Sequence, residues 1–542
     1  MLTRFDTAGV RLKNSLCPLS PFATLQHSLT APAHPELRDW KSDFRFLLPC
    51  LAVALVVRLY FFCGPSLHDD VNYWMQIIAT GLDNAWPPEP THWHTRIGFV
   101  LPSALLLKVF GLKVWVPYIF TMMGGLLEVG LTFYVSRHFI PERAARLAAW
   151  LCVFFPLNVL LSGYLFPDLW VGLLGALSLL FWHRALHSDR TREYVLASLF
   201  FGLGWLFRET VVMLGPIYLA LWFQAGRWRR PKILWAVPPA VLILAGEMLL
   251  YQVTAGSWNY RLNAIVHAVD DPTDLQIIAS SSAGGGFWLD PIFSLFVSHD
   301  LGLFLAAGLA VGVWNYRRMP TALVLWLVVG FVWFSWGTTS PVKWLTLQRD
   351  PRYLSVLTIP CLSLLAVWLL SLRPGLWRGL AVGTIIASGL LGAALDLGRA
   401  KLSAHRQFAA SEYNAPATTA EPFVYFGVRA AQNFSPAAAR FACASDLGRV
   451  TTVRKISHLP GARMGACREA RYLVLAAQVQ PEKLEKKITE GWRQVAAFSG
   501  DHVFVRELAM RMLSKIRGDS VIQPTPGLIV LENPSFAGQA SQ

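Results

Sequence analysis

The chain has 542 residues, of which 54% are hydrophobic and only 15% charged, with a mean hydropathy of +0.42. A soluble domain carries about 25% charged residues, so this balance excludes an ordinary soluble protein and indicates an integral membrane protein. The net charge of +15, from 48 Lys and Arg against 33 Asp and Glu, does not indicate a nucleic-acid partner, because the basic residues form short clusters between apolar segments, the pattern of membrane topology signals.

Residues 1–43 are mixed and proline-dotted with no early apolar core, and read as a cytoplasmic lead rather than a cleavable signal peptide. Apolar runs of about 17–25 residues can span a bilayer as helices. The runs 44–62, 114–136, 143–161, 169–186, 193–207, 210–225, 233–253, 299–314, 321–337, 353–371 and 377–396 read as eleven spans. Many of the 22 tryptophans fall near segment ends, as interfacial aromatic belts require. One further apolar stretch, Arg96–Gly111, could be a twelfth span. If it is left out of the count and the N-terminus is inside, the loops "SRHFIPERAAR", "HRALHSDRTR", "RWRRPK", "NYRRMP" and "RPGLWR" all face the cytoplasm, in accord with the positive-inside rule. Counting it inverts every later loop. It therefore reads as a helix lying along the outer face, and residues 44–396 as a membrane domain with outer loops 63–113, 254–298 and 338–352.

Residues 397–517 follow the last span and read as a small outer α/β domain. "PFVYFG", "RYLVLAA" and "DHVFVREL" are strand-like and "EKLEKKITEGW" is helix-like, and a flexible tail is expected at 518–542. Cys50, Cys152 and Cys361 lie in apolar runs and read as small packing residues. Cys443 and Cys467 fall in the outer domain, where either a disulfide or two buried thiols fit.

Ionisable groups at membrane depth are expensive and each needs a reason. With this topology many collect at the outer face: Asp69, Asp70 and Tyr73 open the first outer loop, and His92, His94 and Arg96 close it. Asp168 follows "LFP", Arg208 and Glu209 interrupt two apolar runs, and Lys343, Arg349, Asp350 and Arg352 precede the tenth span. Carboxylates and cations together in an apolar surround suit a reaction on a lipid phosphate. Several have plainer readings. Arg58 snorkels to the headgroups, Arg208–Glu209 is a self-satisfied ion pair, Arg352 is a helix-start anchor, and Glu128 and Glu247 are paired structural groups. Asp69 and Asp70 can also be read as helix N-terminal charges. His94 and His267 are weak candidates for a divalent metal, the one cofactor left open, with a solvated loop the alternative for His267.

"DDVNY" just past the first span, "LLLKVFG", "RAARLAAWLCVFFP", "LFPDLW", "GLGWLFRET" and "RDPRYLSVLTIP" occur in this order. Together they resemble the integral membrane GT-C glycosyltransferases, in particular bacterial glycosyltransferase family 39 and protein O-mannosyltransferase-like proteins, which include the lipid A aminoarabinose transferases. That family typically carries Asp-Glu-x-x-Tyr where this chain has Asp69-Asp70-Val71-Asn72-Tyr73. Its basic-or-His-Pro-Pro motif reads "HWHTRIGFVLP" here, without the Pro-Pro. The resemblance implies an all-α polytopic membrane protein of the GT-C fold, with about eleven transmembrane helices and a small C-terminal α/β extracytoplasmic domain. It implies a place in a bacterial inner membrane, where the basic loops put the N-terminus on the cytoplasmic side. It implies transfer of a sugar from a polyprenyl-phosphate donor to a lipid, glycan or protein acceptor on the outer side, among membrane lipids. Asp69 maps onto the catalytic base, with Asp70 beside it and Asp168 as a second catalytic acid. Arg208, Arg349, Arg352, Tyr353, Tyr73 and Arg96 map onto substrate and donor-phosphate binding. No nucleotide is needed, in keeping with the lack of a P-loop or dinucleotide fingerprint. The competing class is a transporter or flippase of a lipid-linked sugar, but no internal repeat of the inverted kind is evident.

Overall fold

The computed structural model describes residues 40–62, 73, 76–77, 80–81, 95–111, 115–226, 231–269, 289–298, 300–337 and 351–397, with the backbone of five strands beyond. For residues 40, 265–269, 290, 297 and 395–397 it describes the backbone alone.

The helical part runs α1 (Trp40–Tyr60), α2 (Ile97–Phe110), α3 (Tyr118–Phe139), α4 (Glu142–Val153), α5 (Pro156–Leu161), α6 (Asp168–Ser188), α7 (Thr191–Phe207), α8 (Gly215–Gln224), α9 (Pro238–Ala255), α10 (Tyr260–Val269), α11 (Asp290–Val297), α12 (Phe304–Trp314), α13 (Thr321–Trp336), α14 (Thr358–Ser371) and α15 (Leu376–Leu397). Tight 3-10 turns at Glu209–Leu214, Pro231–Ala236 and Pro351–Leu357 lead into α8, α9 and α14. Each run expected to span contains helix, and the expected outer-face stretch is α2. Among the described residues, five helical stretches are long and apolar enough to cross a membrane by length and composition, including Asp168–Ser188, Pro231–Ala255 and Pro351–Ser371.

The expected single span 143–161 is instead broken into α4 and α5. Pro156 has no amide to donate, so the helix stops at Val153 and restarts with proline in its first turn. α6 packs on α7 and α3, α9 on α7, and α14 on α4 and α12. Glycine permits the closest approaches. A Cβ on Gly308 of α12 would lie 2.5 Å from Cys361 Sγ of α14, and one on Gly125 of α3 would lie 2.8 Å from Arg58 Nε and collide with Ser162 Oγ. Cys50, Cys152 and Cys361 are buried free thiols, in the packing role expected. α9, by contrast, exposes Val241, Leu242, Leu249 and Val253. A stripe of this size faces lipid or a partner, not water.

Ion pairs lie toward both ends of the helices. Asp168 opens α6, while Arg184 near its other end pairs with Glu193 at 3.0 Å. Arg137, at the end of α3, pairs with Asp43 at 2.7 Å. The length of α6 between its two ends, about 30 Å, matches a bilayer core.

Beyond α15, β1 (Val424–Phe426), β2 (Val450–Thr452), β3 (Tyr472–Ala476), β4 (Arg493–Phe498) and β5 (Leu528–Glu532) form one mixed sheet in the order β2-β1-β3-β5-β4. β1 is parallel to β2 and β3, and β5 is antiparallel to β3 and β4. "PFVYFG" and "RYLVLAA" are strands as expected, whereas 482–492 and 501–508 lie outside the described residues, as do Cys443 and Cys467. The tail expected to be flexible at 518–542 supplies β5, paired on both edges. "LIVLE" follows the breaker "PTPG" and is rich in strand-forming residues, which accounts for the difference.

Candidate active site

α7 ends at Phe207, because two consecutive charges cannot continue as an apolar helix face. Arg208 is extended (φ −164°, ψ 140°), and the chain then tightens into the 3-10 turn before Gly215–Pro216 starts α8. The Arg208 guanidinium is buried. Its Nη1 donates to Asp168 Oδ1 at 2.6 Å and its Nη2 to Tyr353 OH at 2.7 Å, and it lies 4.6 Å from the Tyr353 ring centroid. Burial opposes its charge, but Asp168 and then Tyr353 outweigh that and make it more basic than an ordinary arginine. Asp168 follows Pro167 as the first residue of α6, where helix N–H groups favour a carboxylate. Its Oδ2 is buried and takes no hydrogen bond from the described residues. Ser355 Oγ donates to the Asp168 carbonyl at 3.0 Å, which fixes the turn 351–357 against the start of α6. That turn also sets Arg352 over Phe166, 4.7 Å from the ring centroid.

A second set of charges adjoins the first through Glu209. Its Oε1 lies 3.5 Å from Arg96 Nη2 and 3.9 Å from Arg208 Nε, and its Oε2 lies 3.3 Å from Arg261 Nη2. Burial would raise the Glu209 pKa, but Arg96, Arg261 and Arg208 together hold it well below the usual carboxylate range. Arg96, immediately before α2, donates to the buried Tyr73 hydroxyl, and burial pushes the Tyr73 phenol upward. Arg261 on α10 donates to Glu247 Oε1 at 2.6 Å, Trp205 Nε1 donates to Glu247 Oε2 at 2.6 Å, and Arg261 lies 4.5 Å over the Trp205 ring. Among the described residues, four arginines (Arg96, Arg208, Arg261 and Arg352) and three carboxylates (Asp168, Glu209 and Glu247) from six separate segments thus converge on one patch.

Of the residues expected at the site, Asp168, Arg208, Arg352 and Tyr353 come together as one group, and Tyr73 and Arg96 as its neighbour. Asp69, Asp70, His94 and Arg349 lie outside the described residues. His267 is on the backbone of α10, with its side chain likewise outside. Among the described residues no group of three His, Cys, Asp or Glu is disposed to hold a metal ion. Three plain readings change. Arg208 binds Asp168 more closely than Glu209, because the extended backbone at 208 points the two side chains to different partners. Arg352 does stand in the turn that starts α14, but it is 8% exposed and lies over the Phe166 ring, more than an ordinary helix-start anchor. Arg58 does not snorkel: it is fully buried, and its Nε donates to Ser162 Oγ at 3.1 Å, in the space left by Gly125. Arg261 and Trp205 were not anticipated. A signal for them exists in Glu247, since a carboxylate inside an apolar run demands a cation, and Arg261 is the first cation beyond that run.

A family model described as dolichyl-phosphate-mannose-protein mannosyltransferase matches residues 99–251. Among curated protein sequences none matches the chain. Among solved structures, the fold is similar to that of ArnT from Cupriavidus metallidurans. The apo crystal structure superposes with a TM-score of 0.52 at 15% identity over 92% of this chain and 99% of that one. The crystal structure bound to undecaprenyl phosphate gives 0.55 at 16% identity over 91% and 99%. The likeness is one of fold, and it covers more of the chain than its helical part.

Proposed function

We propose that this chain is a membrane glycosyltransferase that moves a sugar from a polyprenyl-phosphate donor to a lipid, glycan or protein acceptor at the outer face of a bacterial inner membrane. One observation carries the reading: Arg208 is buried among Asp168, Tyr353 and Arg352, at a helix break toward one end of a bundle that shares the ArnT fold. A buried, permanently charged fork at that depth is suited to a lipid phosphate, and undecaprenyl phosphate is what the ArnT structure holds.

In the proposed step, the acceptor hydroxyl oxygen bonds to the anomeric carbon of the sugar as the bond from that carbon to the phosphate oxygen breaks. Asp69 takes the hydroxyl proton, the electron pair of the breaking bond stays on the phosphate, and polyprenyl phosphate leaves with an added negative charge. Arg208 and Arg352, with Arg349, oppose that charge in an apolar surround where such stabilisation is largest. A positioned base contributes roughly 10²–10⁴-fold. Asp70 and Asp168 flank the acceptor, and Asp168 Oδ2 can accept from a substrate hydroxyl. Tyr73 and Arg96 frame the same seat.

The same reading assigns eleven spans, N-terminus inside, and an outer α/β domain at 397–517 that holds four strands of the sheet, completed by the fifth at 528–532. The segregated basic loops and the charge-rich site at the opposite helix ends support it.

Purified wild type and Asp69→Asn, reconstituted with radiolabelled polyprenyl-phosphate monosaccharides and a membrane extract, test the reading. Label passing into a lipid, glycan or protein fraction with wild type alone is the expected result. Equal behaviour of both proteins, with donor crossing the bilayer, identifies a flippase instead.

A further inference from the structure

We propose that Glu209 is the resident counter-anion of the donor-phosphate seat, a carboxylate that the lipid phosphate displaces from Arg96, Arg208 and Arg261 on binding and that returns as the product phosphate leaves. This rests on the donor reading above and adds two participants to it, Glu209 and Arg261.

The distances separate fixed partners from a replaceable one. Arg208 has Asp168 at 2.6 Å, Arg261 has Glu247 at 2.6 Å, and Arg96 has the Tyr73 hydroxyl in close contact. Glu209 lies further from all three, at 3.9, 3.3 and 3.5 Å. Removing it leaves every guanidinium with a close partner, so the arginines stay in place while the carboxylate goes. Exposure points the same way. The Glu209 side chain is 27% exposed, whereas those of Arg96, Arg208 and Arg261 are 2%, 7% and 6% exposed. Glu209 is therefore the most accessible of these four charged side chains to an incoming anion.

Charge makes the exchange balanced. The phosphodiester of a polyprenyl-phosphate sugar carries one negative charge, as does the carboxylate, so replacing one by the other leaves the net charge of the patch unchanged. Planar guanidinium forks take phosphate oxygens as readily as carboxylate oxygens. After transfer the departing monoester holds a second charge and binds more strongly than the donor did, and an intramolecular competitor at high effective concentration then favours its release. Glu209 holds the arginines neutralised in the empty site and clears the product from the filled one.

The test is calorimetric titration of farnesyl phosphate into the full chain in detergent at fixed ionic strength, with wild type, Glu209→Gln, Glu209→Asp and Arg261→Gln. Glu209→Gln removes the competitor's charge, and its Kd is expected to fall about tenfold, the lower end for displacing a charged hydrogen bond. Arg261→Gln is expected to weaken binding. If Glu209 instead only holds the arginines in shape, Glu209→Gln binds as wild type does or more weakly, and either result overturns the proposal. Should Glu209→Gln not fold, Glu209→Asp decides: its carboxylate is withdrawn by one methylene, and it must bind more tightly than wild type by a smaller factor. If no protein in the set binds farnesyl phosphate, the donor reading fails first. In turnover, Glu209→Gln lowers KM and kcat together, a pattern that loss of shape does not produce.

Discussion

Arg208 shows what one residue does at each physical level. Its extended backbone ends a helix, its guanidinium neutralises Asp168, and its face stacks on Tyr353. Arg208→Gln removes the cation and strands Asp168 as a buried carboxylate, a loss of about 3–5 kcal/mol for a broken buried pair. The double variant Asp168→Asn, Arg208→Gln removes both charges. It is expected to regain part of that stability in thermal unfolding while still failing to bind donor phosphate; no recovery would mean that the pair is not coupled. Tyr353→Phe is milder. It removes one hydrogen bond to a charged group, about 1.5–3 kcal/mol, and keeps the ring under the cation. Transfer falls by about tenfold or more in kcat/KM and the melting temperature drops by a few degrees, and an unchanged kcat/KM would remove the hydroxyl from the site. Glu209 sets a pH dependence. Its folded pKa is depressed, so its stabilising contribution is complete above its unfolded value, about 4.3, and is lost as pH falls through the folded one. The stability difference between wild type and Glu209→Gln is therefore flat from pH 7 to 5 and shrinks only in stronger acid.

At the scale of elements, side-chain volume at α3 holds the core of the membrane domain. Gly125 faces Ser162 and the buried Arg58, whereas Gly130, one and a half turns along the same helix, has open space where a Cβ would be. Gly125→Ala forces a polar contact apart and is expected to cost about 1–3 kcal/mol, while Gly130→Ala is neutral or slightly stabilising. Thermal unfolding of the two in the same detergent checks this, and equal midpoints would mean that α3 shifts freely. The elements were largely legible because apolar run length and Pro or Gly breakers are local properties. The break at Pro156 and the strand 528–532 needed only a closer reading of the same signals. The site was legible to the extent that its residues sit where apolar runs are interrupted: Asp168, Arg208, Arg352 and Tyr353 all do. Arg261 does not, since one arginine in an outer loop looks solvated, and its bond to Glu247 depends on how α9 and α10 fold back on each other. The inward turn of Arg58 was hidden for the same reason: a helix-end arginine has two directions to go, and the absent Cβ of Gly125 decides between them.

For the whole molecule, everything proposed about chemistry depends on which face of the membrane carries the patch. A polyprenyl-phosphate sugar used at the outer face requires Asp168 and Arg208 to face outward, hence the lead inside and the sheet-bearing part outside. The chain carries its own reporters. Cys17 lies in the lead and Cys443 and Cys467 beyond the last span, while Cys50, Cys152 and Cys361 are buried and silent to a polar reagent. A membrane-impermeant maleimide applied to intact spheroplasts is expected to label Cys443 or Cys467 but not Cys17, as read by peptide mass spectrometry. Permeabilisation is expected to add Cys17. If Cys443 and Cys467 are joined, they become reactive only after mild reduction, so the same experiment decides the disulfide. Label at Cys17 alone would invert every loop, put the five arginine-rich segments outside against the positive-inside rule, and move the patch to the cytoplasmic face. The arginine seat would then remain an anion site, but its lipid phosphate would have to be one presented from the cytoplasm.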